Sequence, residues 1–307
     1  RSTCLWGFRI PGSTEKLIMT LFADDTTVYL SKFDDFKHLK NELDRWCLAS
    51  RAHFNVTKTE VIPLGTLEYR QQLRQMRRNK EGGSKLQADI HITEEGEPTR
   101  TLGGWIGNGV EQAQVWAKTL DKVQASLDRW TRGRLTLHLK AKIVQITVGA
   151  MTQYLTKVQG MPKAVEDKLV RMMKDFIWDR ARAPMRLDFL YRAPDEGGLG
   201  LLDLRSRNDA IELGWCRTYL DLGSNRPTWT LLADVLFEDQ IPKSQGTIDR
   251  DVTMNQFLQD WRPNVSGRSG LPKDLVQLIK VSRKHNVELA ALRLTGRAKV
   301  SLPAWYH

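Results

Sequence analysis

The sequence predicts an α+β chain in which short antiparallel strands and one helix lead into a mostly α-helical remainder. Residues 16–31 alternate along the chain and carry strand-forming side chains, as a β-hairpin does. Beyond about residue 110 the apolar residues recur every three or four positions instead. The excess positive charge collects in that second stretch rather than along the whole chain.

Each element follows from local pattern. In the hairpin, Leu17, Met19 and Leu21 alternate with Ile18, Thr20 and Phe22, Ala23-Asp24-Asp25 is the expected turn, and Thr26, Thr27, Val28 and Tyr29 form the return strand. A helix is expected over 35–52, where Phe36, Leu39, Leu43, Trp46 and Cys47 keep helical spacing. Residues 54–64 read as a turn and a short strand, and 70–85 as a helix tail and basic loop ending in Gly82-Gly83. Asp89–Thr93 and Thr99–Ile106 read as a strand pair around Glu94–Pro98. Trp116, Leu120, Val123, Leu127 and Trp130 mark a long helix, and Ile143, Ile146, Met151, Tyr154 and Leu155 a second over 139–158. A third begins after Pro162 and runs through Val165, Leu169, Met172 and Phe176 to Trp178. A glycine-rich break precedes a helix near 206–222, and shorter helices are expected near 251–260 and 272–295. The boundaries expected from these changes divide the chain into 1–110, 111–185 and 186–307.

The 307 residues, 41% of them hydrophobic, suffice for a sizeable core and argue against wholesale disorder. Of the net charge of +11, residues 1–110 supply +2 (16 basic against 14 acidic), 111–193 supply +8 (16 against 8) and 194–307 supply +1 (15 against 14). Charge concentrated in this way fits a polyanion footprint, and a solvated helical face fits it nearly as well. Cys4, Cys47 and Cys216 lack metal-ligand spacing, and so sparse a set argues against a disulfide framework and fits a reducing compartment. No run approaches the ~20 apolar residues of a membrane helix, so no membrane partner is expected. The first methionine is Met19, inside an apolar run, which suggests a segment of something longer.

Asp24 and Asp25 are the strongest candidates for chemistry. Two carboxylates held together repel, and a hard divalent cation such as Mg2+ relieves the conflict. Two such ions can activate a 3′ hydroxyl and stabilise departing pyrophosphate. Asp is also common in ordinary turns, so the dipeptide by itself leaves both readings open. Lys58, following Asn55 and preceding Thr59 and Glu60, could neutralise phosphate charge or serve as a plain surface lysine. Leu102, Gly103, Gly104, Trp105, Ile106 and Gly107 form a glycine-studded strand or turn, suited to close approach of another backbone or simply a bulge.

In order, Phe22-Ala23-Asp24-Asp25, Asn55-x-x-Lys58-Thr59-Glu60 and Leu102-Gly103-x-x-Ile106-Gly107 resemble the motifs of non-LTR (LINE-type) retrotransposon reverse transcriptases, with Phe22 where many members have tyrosine. Phe176-Ile177-Trp178 and Gly197-Gly198-Leu199-Gly200-Leu201-Leu202-Asp203-Leu204 resemble the segment after the thumb in the same elements. The similarity runs from about residue 5 to 222.

The resemblance implies part of a right-hand polymerase: the rear of the palm in 1–110, the thumb in 111–185 and a post-thumb region beyond. Asp24 and Asp25 would hold Mg2+, Asp24 more strongly, and Lys58 would face the phosphates of the incoming dNTP. Leu102–Gly107 would be the primer grip. Lys118, Lys122, Arg129, Arg132, Arg134, Lys140 and Lys142 would meet an RNA template–DNA primer duplex, and as a set they predict salt-sensitive binding. A nuclear location is implied as well. The family also uses a third palm carboxylate and a fingers region ahead of the paired acids, and only 23 residues precede Asp24. RNA-directed DNA polymerase activity is therefore expected only with that N-terminal half. A non-catalytic nucleic-acid-binding module, or a decayed relic of such an element, is the alternative. Residues 223–307 show neither a ribonuclease H acidic cluster nor a Cys/His zinc knuckle, and their role stays open.

Overall fold

The structure, a computed structural model, describes residues 4–11, 13–14, 16–223, 226–244, 256–258 and 261–287, with Gly296 and Val300. It mixes helices with small sheets and divides into two compact units, Arg1–Glu111 and Gln112–His307.

The first unit is built on two-stranded ribbons. Strand β1 (Phe8–Arg9) pairs antiparallel with β2 (Lys16–Leu17), and β3 (Met19–Phe22) with β4 (Asp25–Val28). The expected hairpin is thus present, with a shorter turn: Asp25 opposite Phe22 already belongs to β4, leaving Ala23-Asp24 as the loop. Helix α1 (Phe36–Ser50) follows. Asn55 caps a single 3-10 turn over Val56–Lys58, which leads into β5 (Glu60–Val61) and α2 (Leu67–Met76).

The next strands differ from the expected pair. Strand β6 (His91–Ile92) runs parallel to β5. Thr99–Ile106 folds on itself as β7 (Thr99–Thr101) and β8 (Gly104–Ile106). Both residues of the tight loop between them, Leu102 (φ 48°) and Gly103 (φ 80°), lie in the left-handed region, as a type I′ turn requires. This hairpin uses its pairing edge internally. Thr93 instead donates its amide to the Val61 carbonyl, extending the β5–β6 contact.

Buried Asp34 holds the start of this unit together. Its Oδ1 accepts the Trp6 amide (2.6 Å), and its Oδ2 accepts those of Gly7 (3.0 Å) and Ser31 (2.7 Å). Asp35 caps α1 by accepting the Lys37 amide, and its other oxygen accepts that of Ser84. The loop after α2 docks on the same turn: the Asn79 side-chain amide donates to the Asp34 carbonyl, and Lys80 Nζ donates to that of Phe33 (2.9 Å).

The second unit is helical. It contains α3 (Gln112–Trp130), α4 (Leu137–Val144), a π turn over Gln145–Gly149, α5 (Ala150–Gln159), α6 (Lys163–Ile177) and α7 (Leu187–Tyr191), then α8 (Leu204–Tyr219), α9 (Thr228–Glu238) and α10 (Lys273–Lys284). Helix α9 escapes the sequence pattern, and of the segment expected as a helix near 251–260 a 3-10 turn at Gln256–Leu258 is described. The expected helix beyond residue 287 lies outside the described residues apart from Gly296 and Val300. Trp116, Leu120, Val123 and Leu127 bury the inner face of α3, whereas Trp130, its last residue, is exposed.

The second expected helix is present as α4, the π turn and α5 in unbroken succession, and its buried face follows the apolar pattern only in part. Of the expected residues Ile143 and Leu155 are buried, together with Ala141, Val144, Val148, Thr152 and Thr156, while Ile146, Met151 and Tyr154 point out. The inward face is small and hydroxyl-bearing because it receives Arg207 of α8. That guanidinium donates to the Gly149 carbonyl (3.2 Å), Thr152 Oγ1 (2.8 Å) and Thr156 Oγ1 (3.3 Å).

Gly198 is required by packing. The segment 198–201 lies against 190–193, and the Gly198 amide donates to the Ala193 carbonyl. A Cβ at this position would stand 2.0 Å from the Arg192 carbonyl oxygen. Beyond it, Tyr219, Phe237, Trp261 and Ile279 centre a second apolar core shared by α8, α9 and α10.

Burial pushes the Asp34 carboxyl up, but the Trp6, Ser31 and Gly7 amides and the Ser31 hydroxyl more than offset it and hold the group below its ordinary 3.8. A carboxyl lowered by folding stabilises fully above its unfolded value, and that contribution is lost as pH falls through the folded one. Asp34→Ala should therefore cost about 3 kcal/mol at pH 7, with the gap from the parent narrowing below pH 3.8. Urea denaturation at a series of pH values measures both. Gly198→Ala should cost about 2–4 kcal/mol through the Arg192 carbonyl clash, read as a lowered thermal midpoint.

Candidate functional site

The paired acids sit where β3 turns into β4. Ala23 is in the left-handed region (φ 53°) and Asp24 is not, the sign pattern of a type II′ turn, whose first loop position favours glycine. An alanine there carries strain, and it lifts Asp24 to the tip with Asp25 beside it. Both carboxylates are exposed, and neither has a hydrogen-bond or ion-pair partner among the described residues. The neighbouring apolar side chains are open as well: Leu21 is 66% and Phe22 67% exposed. Two unpartnered carboxylates are donors of the hard oxygen type that Mg2+ prefers. Among the described residues no group of three or more His, Cys, Asp or Glu side chains could hold a metal.

Lys58 stands at the end of the 3-10 turn that Asn55 organises. Asn55 Oδ1 accepts the Thr57 hydroxyl (2.7 Å) and the Lys58 amide (3.2 Å), and the Asn55 carbonyl accepts the Thr59 hydroxyl. The motif is therefore a local cap that presents an exposed Lys58 at the entry to β5. The structure does not tie Lys58 to the acids: the two segments lie in separate ribbons, and no hydrogen bond or ion pair joins them among the described residues.

The glycine-rich segment also serves the protein's own backbone. Leu102 and Gly103 form the β7–β8 turn, Gly104 and Ile106 lie in β8, and Gly107 follows it. A Cβ at Gly107 would stand 2.4 Å from the Glu97 carbonyl oxygen and 2.7 Å from Val110 Cγ2. The close approach inferred for this glycine is thus made to residue 97 of the same unit.

No family model matches the chain, and no curated protein matches it either.

The basic residues of the second unit sort into two sets. With ~100° between successive helical residues, Lys118, Lys122 and Arg129 fall on one stripe of α3, roughly opposite the buried Trp116–Leu127 stripe. All three are exposed, as are Arg132 and Arg134 in the following loop and Lys142 on α4. None of these six forms an ion pair with another described residue.

Lys140 departs from the expected role. It is only 4% exposed, and its Nζ donates to the Ile177 carbonyl (3.2 Å) and to Asp179 (2.6 Å), with the Phe176 ring 5.9 Å away. That ammonium closes the C-terminal end of α6 and is not available to a phosphate. Asp34 and Asp35 form a second adjacent pair of acids in the sequence, and both are committed to backbone amides.

Ala23→Gly should relieve the left-handed strain and raise the stability of the hairpin by about 1 kcal/mol. Comparison of amide exchange along 19–28 in parent and variant measures it, and a loss of protection would contradict the turn assignment.

Proposed function

We propose that this chain is the palm-to-thumb portion of an RNA-directed DNA polymerase of the non-LTR retrotransposon kind. The observation that carries the proposal is the tip of the β3–β4 hairpin, where two adjacent carboxylates stand exposed, without partners among the described residues, in the context Phe22-Ala23-Asp24-Asp25. Such a pair is costly to keep for structure alone, because the like charges repel.

In this reading Asp24 and Asp25 hold Mg2+ through their carboxylate oxygens. The bound ion supplies charge neutralisation for nucleotidyl transfer between a primer 3′ hydroxyl and a dNTP. The strained turn fixes both carboxylates on a short, stiff element. The α3 stripe of Lys118, Lys122 and Arg129, with Arg132, Arg134 and Lys142, grips the phosphates of a template–primer duplex. This grip is sequence-independent, because long cations on a helix face recognise charge and spacing rather than bases.

A second reading keeps the grip without the chemistry. The exposed basic stripe supports it, since those cations need no contribution from Asp24 or Asp25.

Manganese titration followed by electron paramagnetic resonance separates the two. The polymerase reading expects weak divalent binding in the parent and its loss in Asp24→Asn/Asp25→Asn; the binding-module reading expects no difference. Lys118→Ala/Lys122→Ala/Arg129→Ala should lower the slope of log K against log [salt] for an RNA–DNA hybrid by about 2–3. Lys140→Met should leave that slope unchanged and lower stability by about 1–2 kcal/mol.

A further inference from the structure

We infer that Trp6 and Phe33 form a stacking platform for unpaired bases of a single-stranded nucleic acid. The inference adds a single-strand site to the duplex grip proposed above, and it rests on that reading for nucleic acid as the ligand.

Single exposed aromatic rings are ordinary at a protein surface, but here two lie together. Trp6 is 57% and Phe33 61% exposed, with ring centroids 6.0 Å apart at 54°. Each carries its own cation: Lys16 Nζ lies 5.1 Å from the Trp6 ring centroid, and Lys32 Nζ 5.1 Å from that of Phe33. Rings alone would suit an apolar partner, and lysines alone a solvated face. Each ring paired with a lysine suits a base attached to a phosphate, because stacking uses the π face and the flexible ammonium can reach the neighbouring charge. A duplex keeps its base faces covered, so the platform selects single strands.

The platform is held in place before any ligand arrives. The Trp6 amide is fixed on Asp34, the Phe33 amide donates to Ser31 Oγ (3.2 Å), and the Phe33 carbonyl accepts Lys80 Nζ. The two acids of the adjoining turn are committed to the protein's own backbone. Asp34 is buried, and both Asp35 oxygens accept backbone amides.

The test uses the full chain and fluorescence anisotropy of labelled 12-nucleotide oligo(U), oligo(dT) and a blunt RNA–DNA hybrid. Trp6→Ala/Phe33→Ala should weaken binding of both single strands by about 10- to 100-fold and leave the hybrid unchanged. Trp6→Tyr/Phe33→Tyr, which keeps the rings, should bind single strands within a few-fold of the parent. Lys16→Gln/Lys32→Gln should lower the single-strand salt slope by roughly 0.7 per lysine, a readout that does not depend on the ring-free variant folding. Single-strand affinity unchanged in the ring-free variant would show that the rings serve another partner and would overturn the inference. An unchanged salt slope in the lysine variant would overturn it too, and so would equal losses for strand and hybrid. Ring-dependent single-strand binding in a chain that ignores the hybrid would leave this inference standing and remove the duplex grip.

Discussion

The first unit depends on one buried carboxylate. Its strands are two to four residues long, and isolated two-stranded ribbons are marginal in water. Its apolar core is correspondingly thin, with Leu5, Ile10, Leu39, Leu73, Ile90 and Ile92 as its main buried residues. Asp34 compensates by gathering amides from residues 6, 7 and 31 around a single charge, and charge-assisted bonds of this kind are stronger than neutral ones. Asn79 and Lys80 then bind the carbonyls of that same turn, so the loop after α2 is registered against the start of α1. Removing the carboxylate would orphan all three amides at once.

The chain contains two Asp-Asp pairs ten residues apart, and their environments are opposite. Asp34 and Asp35 spend their oxygens on backbone amides and fix a turn. Asp24 and Asp25 spend theirs on nothing among the described residues. Composition cannot separate the pairs, because both follow a phenylalanine closely and both sit in turns. The separation comes from what surrounds each turn: the first joins two paired strands, whose amides are used in the ladder, while the second precedes a helix, whose free first-turn amides attract carboxylates.

Much of the fold was legible because it depends on period. The β3–β4 hairpin, the α3 core stripe and the start of α6 after Pro162 all follow from alternation or from three-to-four-residue spacing. The α4–α5 face was not legible, since its inward residues include Thr152 and Thr156, chosen to meet Arg207 rather than oil. Apolar spacing picked Ile143 and Leu155, which are buried, but also Ile146, Met151 and Tyr154, which lie outside. The parallel β5–β6 pair was hidden for another reason: two-residue strands carry almost no periodic signal, and their partnership depends on a crossover through α2. In the candidate site, Asp24 and Asp25 could be read from residue type and context. Lys140 was misassigned because a lysine at a helix surface and one folded over a neighbouring helix end look alike in sequence. The Trp6–Phe33 pair was invisible, because 26 residues separate rings that the Asp34 cluster brings together.

The π turn between α4 and α5 gives that stretch a memory of its own length. Such a turn holds one residue more than the α-helix would, so α4 and α5 can be regarded as one continuous rod carrying a single insertion. Deleting one residue from 145–149 would let the rod become uniformly helical and leave the stripe beyond it nearly in place, because the wider turn already absorbs the extra residue. Thr152 and Thr156 would go on facing Arg207. A residue added or removed elsewhere in the rod would instead turn everything beyond it by about 100°, so the π turn is the place where the chain can change its length and keep its faces in register.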